Sequence, residues 1–168
     1  RQNAYVDLDI YDMLIVETRD ALGNRVTVDA NDYRVLHPHL VSDPNRNRTE
    51  VALDALGMAV GTAVMGKAQP AQAEGDTLTG FISDLTPEQV EGFFNATDPR
   101  ADAPALLRGA TTRIVYDLER FRRTQQANPA DPAAWQAVCA ATLVRETHAN
   151  ALQPPHGLKI QVSFSYSD

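Results

Sequence analysis

The sequence predicts a mainly β chain: antiparallel hairpins in a curved sheet, with one or two short helical insertions. Three observations predict it. Polar and apolar residues alternate strictly over 159–166, placing Ile160, Val162, Phe164 and Tyr166 on one face of a strand; a helix would scatter them around its circumference. Turn formers recur between short apolar stretches, at Ala21-Leu22-Gly23-Asn24, Asp43-Pro44-Asn45-Arg46-Asn47 and Leu56-Gly57. Weaker alternation over 13–18, 25–29, 49–53, 58–64 and 111–118 supplies strands for these turns to join.

The turns have a physical basis. Asp and Asn side chains bond to nearby backbone, Pro presets φ and Gly accepts positive φ, so each group favours chain reversal. The stretch 67–80, rich in Ala, Gln, Gly and Pro, breaks the rhythm and reads as a loop. Leu85-Thr86-Pro87-Glu88-Gln89-Val90 then opens a helix. Thr86 caps it, Pro87 suits its first position, Gln89 completes a capping box, and Leu85 with Val90 forms a hydrophobic staple. The helix is expected over Pro87–Asn95, ending before Asp98-Pro99. A second, weaker helix is expected over 133–139, starting at Asp131-Pro132 and carrying Trp135 and Val138 or Cys139 inward. Periodicity leaves 140–148 open between helix and strand. Residues 67–109 and 122–139 are therefore read as two partly helical insertions in a β framework.

Composition narrows the function classes. The chain has 168 residues, 43% of them hydrophobic, which suits one domain or a slice of a larger one with a buried core. Charged residues at 22% argue against wholesale disorder. A net charge of −7 argues against a nucleic-acid partner, which wants a basic face. Arg120, Arg122 and Arg123 form only a short basic cluster, read as a solvated strand end or loop. Cys139, the sole cysteine, has no internal disulfide partner and reads as a buried, inert thiol. No apolar run reaches bilayer-spanning length, so no membrane insertion by this segment is expected. The first nine residues lack the apolar core of a signal peptide. Without an initial Met, and with an end in mid-pattern, the chain is expected to be a fragment.

A degenerate internal repeat runs through it. Asp20-Ala21-Leu22-Gly23-Asn24-Arg25 aligns with Asp43-Pro44-Asn45-Arg46-Asn47-Arg48, and Asp20-Ala21-Leu22-Gly23 recurs as Asp54-Ala55-Leu56-Gly57. Tyr-Asp pairs stand at Tyr11-Asp12 and Tyr116-Asp117. The physical unit is strand, Asp-x-x-Gly turn, strand. One such hairpin cannot bury its apolar face, so several must pack side by side.

These residues resemble the Rhs/YD-repeat family, whose units run Tyr-Asp-x-x-Gly-Arg into a following strand. The stretches 18–27, 32–67, 110–118 and 157–168 are similar to parts of the B components of Tc-type (insecticidal) toxin complexes. The string Asn31-Asp32-Tyr33-Arg34-Val35-Leu36 followed by 43–67 is the most specific part. Tyr116-Asp117 departs from the pattern, being followed by Leu118-Glu119-Arg120 without the Gly, and Asp54 follows Leu53 where the repeat prefers an aromatic. The resemblance implies a non-catalytic structural segment of a secreted virulence factor: a hollow β shell, built with the C component, that encloses a toxic polypeptide released through the pore-forming A component. It implies no cofactor. The family's autoproteolytic site and toxic enzyme belong to the C component, and neither motif occurs here.

His37-Pro38-His39 puts two imidazoles at alternate positions, a possible metal pair without a third ligand nearby; His148 and His156 lie far off in sequence. Asp43, Asn45 and Asn47 imitate the start of a calcium loop, with Thr49 and Asp54 at its seventh and twelfth places. Arg48, however, stands where the loop needs Gly, and Asp54 is shorter than the usual Glu. Gly57 and Gly61 mark a bend more naturally than a binding loop. No nucleophile elbow, phosphate loop or dinucleotide fingerprint occurs, and no catalytic, cofactor or metal residue is assigned. Two rivals remain: a module binding a toxin subunit or cargo through the insertions, and a calcium-stabilised adhesin-like β domain. Exposure of Phe93, Phe94 or Trp135 would favour the binding module; their burial would favour architecture.

Overall fold

The computed structural model describes residues 3–68, 75–149 and 159–167. Its strands are β1 (Tyr5–Leu8), β2 (Ile15–Arg19), β3 (Arg25–Asp32), β4 (His37–Ser42), β5 (Arg48–Leu53), β6 (Ala59–Met65), β7 (Thr112–Asp117), β8 (Cys139–Arg145) and β9 (Ile160–Tyr166). They form one open sheet in chain order, every neighbouring pair antiparallel. The fold is thus mainly β, as the alternation and turns predict.

Three helices interrupt the meander: α1 (Pro87–Asn95) and α2 (Pro99–Leu107) between β6 and β7, and α3 (Arg120–Ala127) between β7 and β8. The capping box of α1 forms as expected: Thr86 Oγ1 accepts from Gln89 N at 3.3 Å, and Gln89 Oε1 accepts from Thr86 N at 2.9 Å. Leu85 and Val90 both pack against the core.

The core lies over the last strands. Phe93 of α1, Ala103 and Leu107 of α2, Ala110, Val115 of β7, and Ala141 and Leu143 of β8 form its buried cluster. Strand alternation explains why β7 and β8 bury every second residue: Arg113, Val115 and Asp117 in one, Cys139, Ala141, Leu143 and Arg145 in the other. Phe164, on the edge strand β9, reaches the same cluster, 6.5 Å from Phe93 and 6.0 Å from Phe94 between ring centres. Strands β1–β5 differ. None of their residues is buried, and among the described residues no helix covers them.

The structure differs from two expectations. Residues 133–139 do not form a helix: a single 3₁₀ turn spans Pro132–Ala134, after which Cys139 opens β8. Asp131 caps only that turn, its side chain accepting from Ala133 N at 3.1 Å. The backbone beyond it is drawn into pairing between β7 and β9, and this also settles 140–145 as strand. Helix α1 ends before Asp98-Pro99 as expected, and that pair also starts α2, because Asp98 accepts from Arg100 N at 3.1 Å and Pro99 fits the first helical position. Arg120, Arg122 and Arg123 stand on α3 and not on a strand end or loop. The loop reading of 67–80 falls partly, at 69–74, outside the described residues, as does His156.

Candidate functional site

Four turns carry the repeat. The Oδ1 of Asp20 accepts from the backbone N–H of Leu22 at 2.8 Å and Asn24 at 2.9 Å. Asp43 takes Asn45 and Asn47, each at 2.8 Å, and Asp54 takes Leu56 at 2.9 Å and Met58 at 2.8 Å. Asp9 does the same for Tyr11 at 3.1 Å and Met13 at 2.9 Å. At the fourth position φ is positive in every case: +56° at Asp12, +84° at Gly23, +67° at Arg46 and +81° at Gly57. The aspartate side chain stands in for a backbone acceptor, and the left-handed residue closes the reversal.

These bonds also set the electrostatics. Bonds from Met13, and from Asn24 in the second turn, hold the carboxyls of Asp9 and Asp20 below the ordinary range. At Asp43 desolvation pulls upward, but the bonds from Asn47 and Asn45 outweigh it and the net direction is down. Asp43 is therefore engaged as a turn acceptor, with Asn47 Nδ2 on its other oxygen at 3.1 Å. Among the described residues no group of three or more His, Cys, Asp or Glu side chains is placed to hold a metal. His37, exposed on β4, turns its Nδ1 to its neighbour's carbonyl, Pro38 O, at 2.6 Å. His39 lines a shallow groove with Asp32, Tyr33 and Glu50.

The covered half holds buried charges that the sequence reading missed. Arg113 is 1% exposed, lies over the Phe81 ring at 4.4 Å, and donates to Leu106 O at 3.1 Å and Ile82 O at 2.8 Å. Burial pushes its guanidinium down to about 10, helped by the neighbouring charge of Arg108. Arg145 donates to Ala110 O at 2.6 Å and also to Arg108 O. Asp117 receives both Arg123 nitrogens at 3.0 and 2.9 Å. The second Tyr-Asp pair thus pins a helix where the repeat would make a turn. The signal for these side chains was available: a period of two puts Arg113 and Asp117 on the same face as Val115. Their charge disguised it.

Asp76 gathers a further set. Thr111 Oγ1 donates to it at 2.5 Å and Ala149 N at 2.6 Å, while His148 Nδ1 stands 3.1 Å away and Arg145 Nε 3.9 Å away. In a nucleophilic triad the hydroxyl faces the imidazole. Here both face one carboxylate, so the imidazole does not take the hydroxyl proton, and the set pins the segment at Asp76 to β7 and β8.

The cysteine and the discriminating aromatics are also placed. Cys139 is buried and its Sγ receives Arg120 Nη1 at 2.9 Å. Phe93 is 2% exposed; Phe94 and Trp135 are half-buried, with Trp135 Nε1 donating to Asn128 O at 2.9 Å. A cavity of about 220 Å³ opens between β7 and the start of α1, floored by Met58, Val60, Leu85, Val90 and Val115 and bordered by Asp54, Leu56, Asp84, Arg123 and Glu119, the last paired to Arg122 at 2.7 Å.

No protein-family model matches the sequence, and no curated protein matches it. Solved structures do. Over 98% of its length the chain is similar to part of the TcdB2-TccC3 crystal structure, with 21% identity and a TM-score of 0.68. It is likewise similar to the Photorhabdus luminescens Tc holotoxin pore and to TcdB2-TccC3-TEV, each at 18% identity, 98% coverage and a TM-score of 0.67. It spans only 7% to 9% of the length of those chains. At this level of identity the likeness is one of fold alone.

Proposed function

We propose that this chain is a non-catalytic wall segment of a secreted bacterial toxin-complex shell, one that encloses a toxic polypeptide. The observation that carries this reading is the unbroken sequential meander, whose first five strands carry no buried residue and no covering helix among the described residues. An enzyme builds a concave site on a packed scaffold. A container wall needs area at low thickness, and neighbour-by-neighbour pairing lets a sheet grow unit by unit. The Asp-x-x-Gly turns supply that repetition, and the fold likeness to Tc toxin chains supports the assignment to a shell of the Rhs/YD-repeat type. Its partners would be the C component, the pore-forming A component and the cargo.

The inserted helices support architecture over cargo binding. Phe93 fills the core, Trp135 is engaged by its own loop, and Arg113 and Arg145 donate to backbone carbonyls. The test is electron microscopy of the full-length polypeptide carrying this segment, co-expressed with its genetic neighbour. A hollow particle with internal density and this segment in its wall is expected; a compact solid particle would overturn the reading.

A further inference from the structure

The two ends of the strands β1–β6 differ in chemistry. The turns after β1, β3 and β5 meet at one rim of the sheet. Tyr11 and Tyr33 stack edge-to-face at 5.9 Å, Tyr33 Oη donates to Asp9 at 2.8 Å, and Gly57 abuts Val35 so closely that a Cβ there would stand 2.4 Å from Cγ1. Asp84 joins the same rim by accepting from Ala55 N at 2.9 Å.

Large apolar side chains stand out along it: Ile10 is 89% exposed, Leu56 74%, Tyr11 63%, Met13 55%, Leu36 51% and Tyr33 48%. Carboxylates lie among them, at Asp9, Asp12, Asp32, Asp54 and Asp84, with Arg34 already paired to Asp32 at 2.7 Å. The opposite rim carries Arg19, Arg25, Arg46, Arg48 and Lys67 beside Asp20 and Asp43. The cavity of about 220 Å³ opens at the acidic rim, with Leu56 on its border.

We propose that the acidic rim is a docking surface for a protein segment that presents apolar side chains flanked by lysine or arginine. One apolar anchor enters the cavity beside Leu56, while its basic neighbours face Asp54 and Asp84. The rest of the segment crosses Leu36, Tyr33, Tyr11 and Ile10. Apolar surface clustered on one rim marks an interface, and the sign of the surrounding charge selects the partner. The same rim of a second copy is disfavoured by like charge, and so is a bilayer with anionic headgroups. This inference does not require the wall to be hollow; it concerns what the rim meets.

A photo-crosslinking residue at Leu56, and separately at Leu36, in the full-length polypeptide co-expressed with its neighbour tests it. Leu22, 85% exposed on the opposite rim, is the control. The expected result is one crosslinked peptide shared by positions 56 and 36, with apolar residues beside Lys or Arg, and no capture of it from position 22. Leu56→Lys should reduce the position 36 crosslink to background. No protein crosslink, a lipid adduct, a peptide without basic residues, or equal capture from position 22 would overturn it. A hollow particle without the crosslink would sink this inference alone, and a solid particle with it would sink only the wall reading.

Discussion

The first five strands and the last four are paired by the same ladder, yet they are held in different ways. Strands β1–β5 rely on hydrogen bonds between neighbours and on turns closed by aspartate, with no buried side chain among them. Strands β7–β9 lie under α1 and α2, around a core of Phe93, Leu107, Val115 and Leu143. Hydrophobic burial scales with area removed from water, so the covered half has the larger local stability. The thin half depends on local geometry, where a single turn residue matters more than a single methyl group.

Removing core volume should separate the halves most strongly. Leu107 is fully buried, and Leu107→Ala is expected to cost about 2–5 kcal/mol. Val28→Ala, at a half-buried site of β3, should cost less than about 1 kcal/mol. Hydrogen exchange read segment by segment would show the first loss spreading over β7–β9 and the second confined to β3 and its neighbours. Equal effects would erase the distinction.

Arg113→Ala comes next, at about 3 kcal/mol, because it strips two carbonyls of their charged donor and uncovers Phe81. Exchange should rise at Ile82 and at the end of α2, while β1–β5 stay unchanged.

The thin half is probed by its glycines. Gly57→Ala should cost about 2 kcal/mol, since φ is +81° and the new Cβ would meet Val35 at 2.4 Å. At Gly23 φ is +84° but nothing lies within 4 Å, so Gly23→Ala should cost only the backbone strain, about 1 kcal/mol. Arg46→Gly should act in the opposite direction, stabilising the third turn by about 0.5–1 kcal/mol, because its non-glycine residue already sits at φ +67°. Thermal melting of the three variants should rank them in that order.

Acid is the gentlest probe. The carboxyls of Asp9, Asp20 and Asp43 are held below their ordinary value of 3.8 in the folded chain. Their contribution is complete above that value and is lost as pH falls through the lower folded value. Amides of Leu22, Asn24, Asn45 and Asn47 should lose exchange protection in that window before Val115 and Leu143 do. Protection that fades first in the core would reverse the comparison.

Local chemistry was readable wherever it acts on adjacent residues. The capping box and staple placed α1 at its observed bounds, and the aspartate and glycine spacing placed the turns. Strict alternation placed β9, though Phe164 and Tyr166 stay 41% and 61% exposed on the sheet edge. Sites that depend on distant partners were not readable. Helix α3 has no side-chain cap and is mostly polar; the Arg123–Asp117 pair and the Arg120 bond to Cys139 hold it against the sheet. Helix α2 contains Pro104 after its opening Pro99, which masks its periodicity, and packing of Ala103 and Leu107 secures it. Strand β1 is short and wholly exposed, and β4 carries a proline opposite Asn31 where the ladder shifts register.

By itself the sequence determined the strand-and-turn rhythm, the aspartate turns and the first helix, because each rests on contacts within about five residues along the chain. Only the tertiary structure decided which half is covered, that 139–145 pairs as a strand, and that Arg113, Arg145 and Asp76 are buried with partners. Those outcomes depend on burial and pairing between segments far apart in sequence, where propensity yields to the neighbours that folding brings into contact.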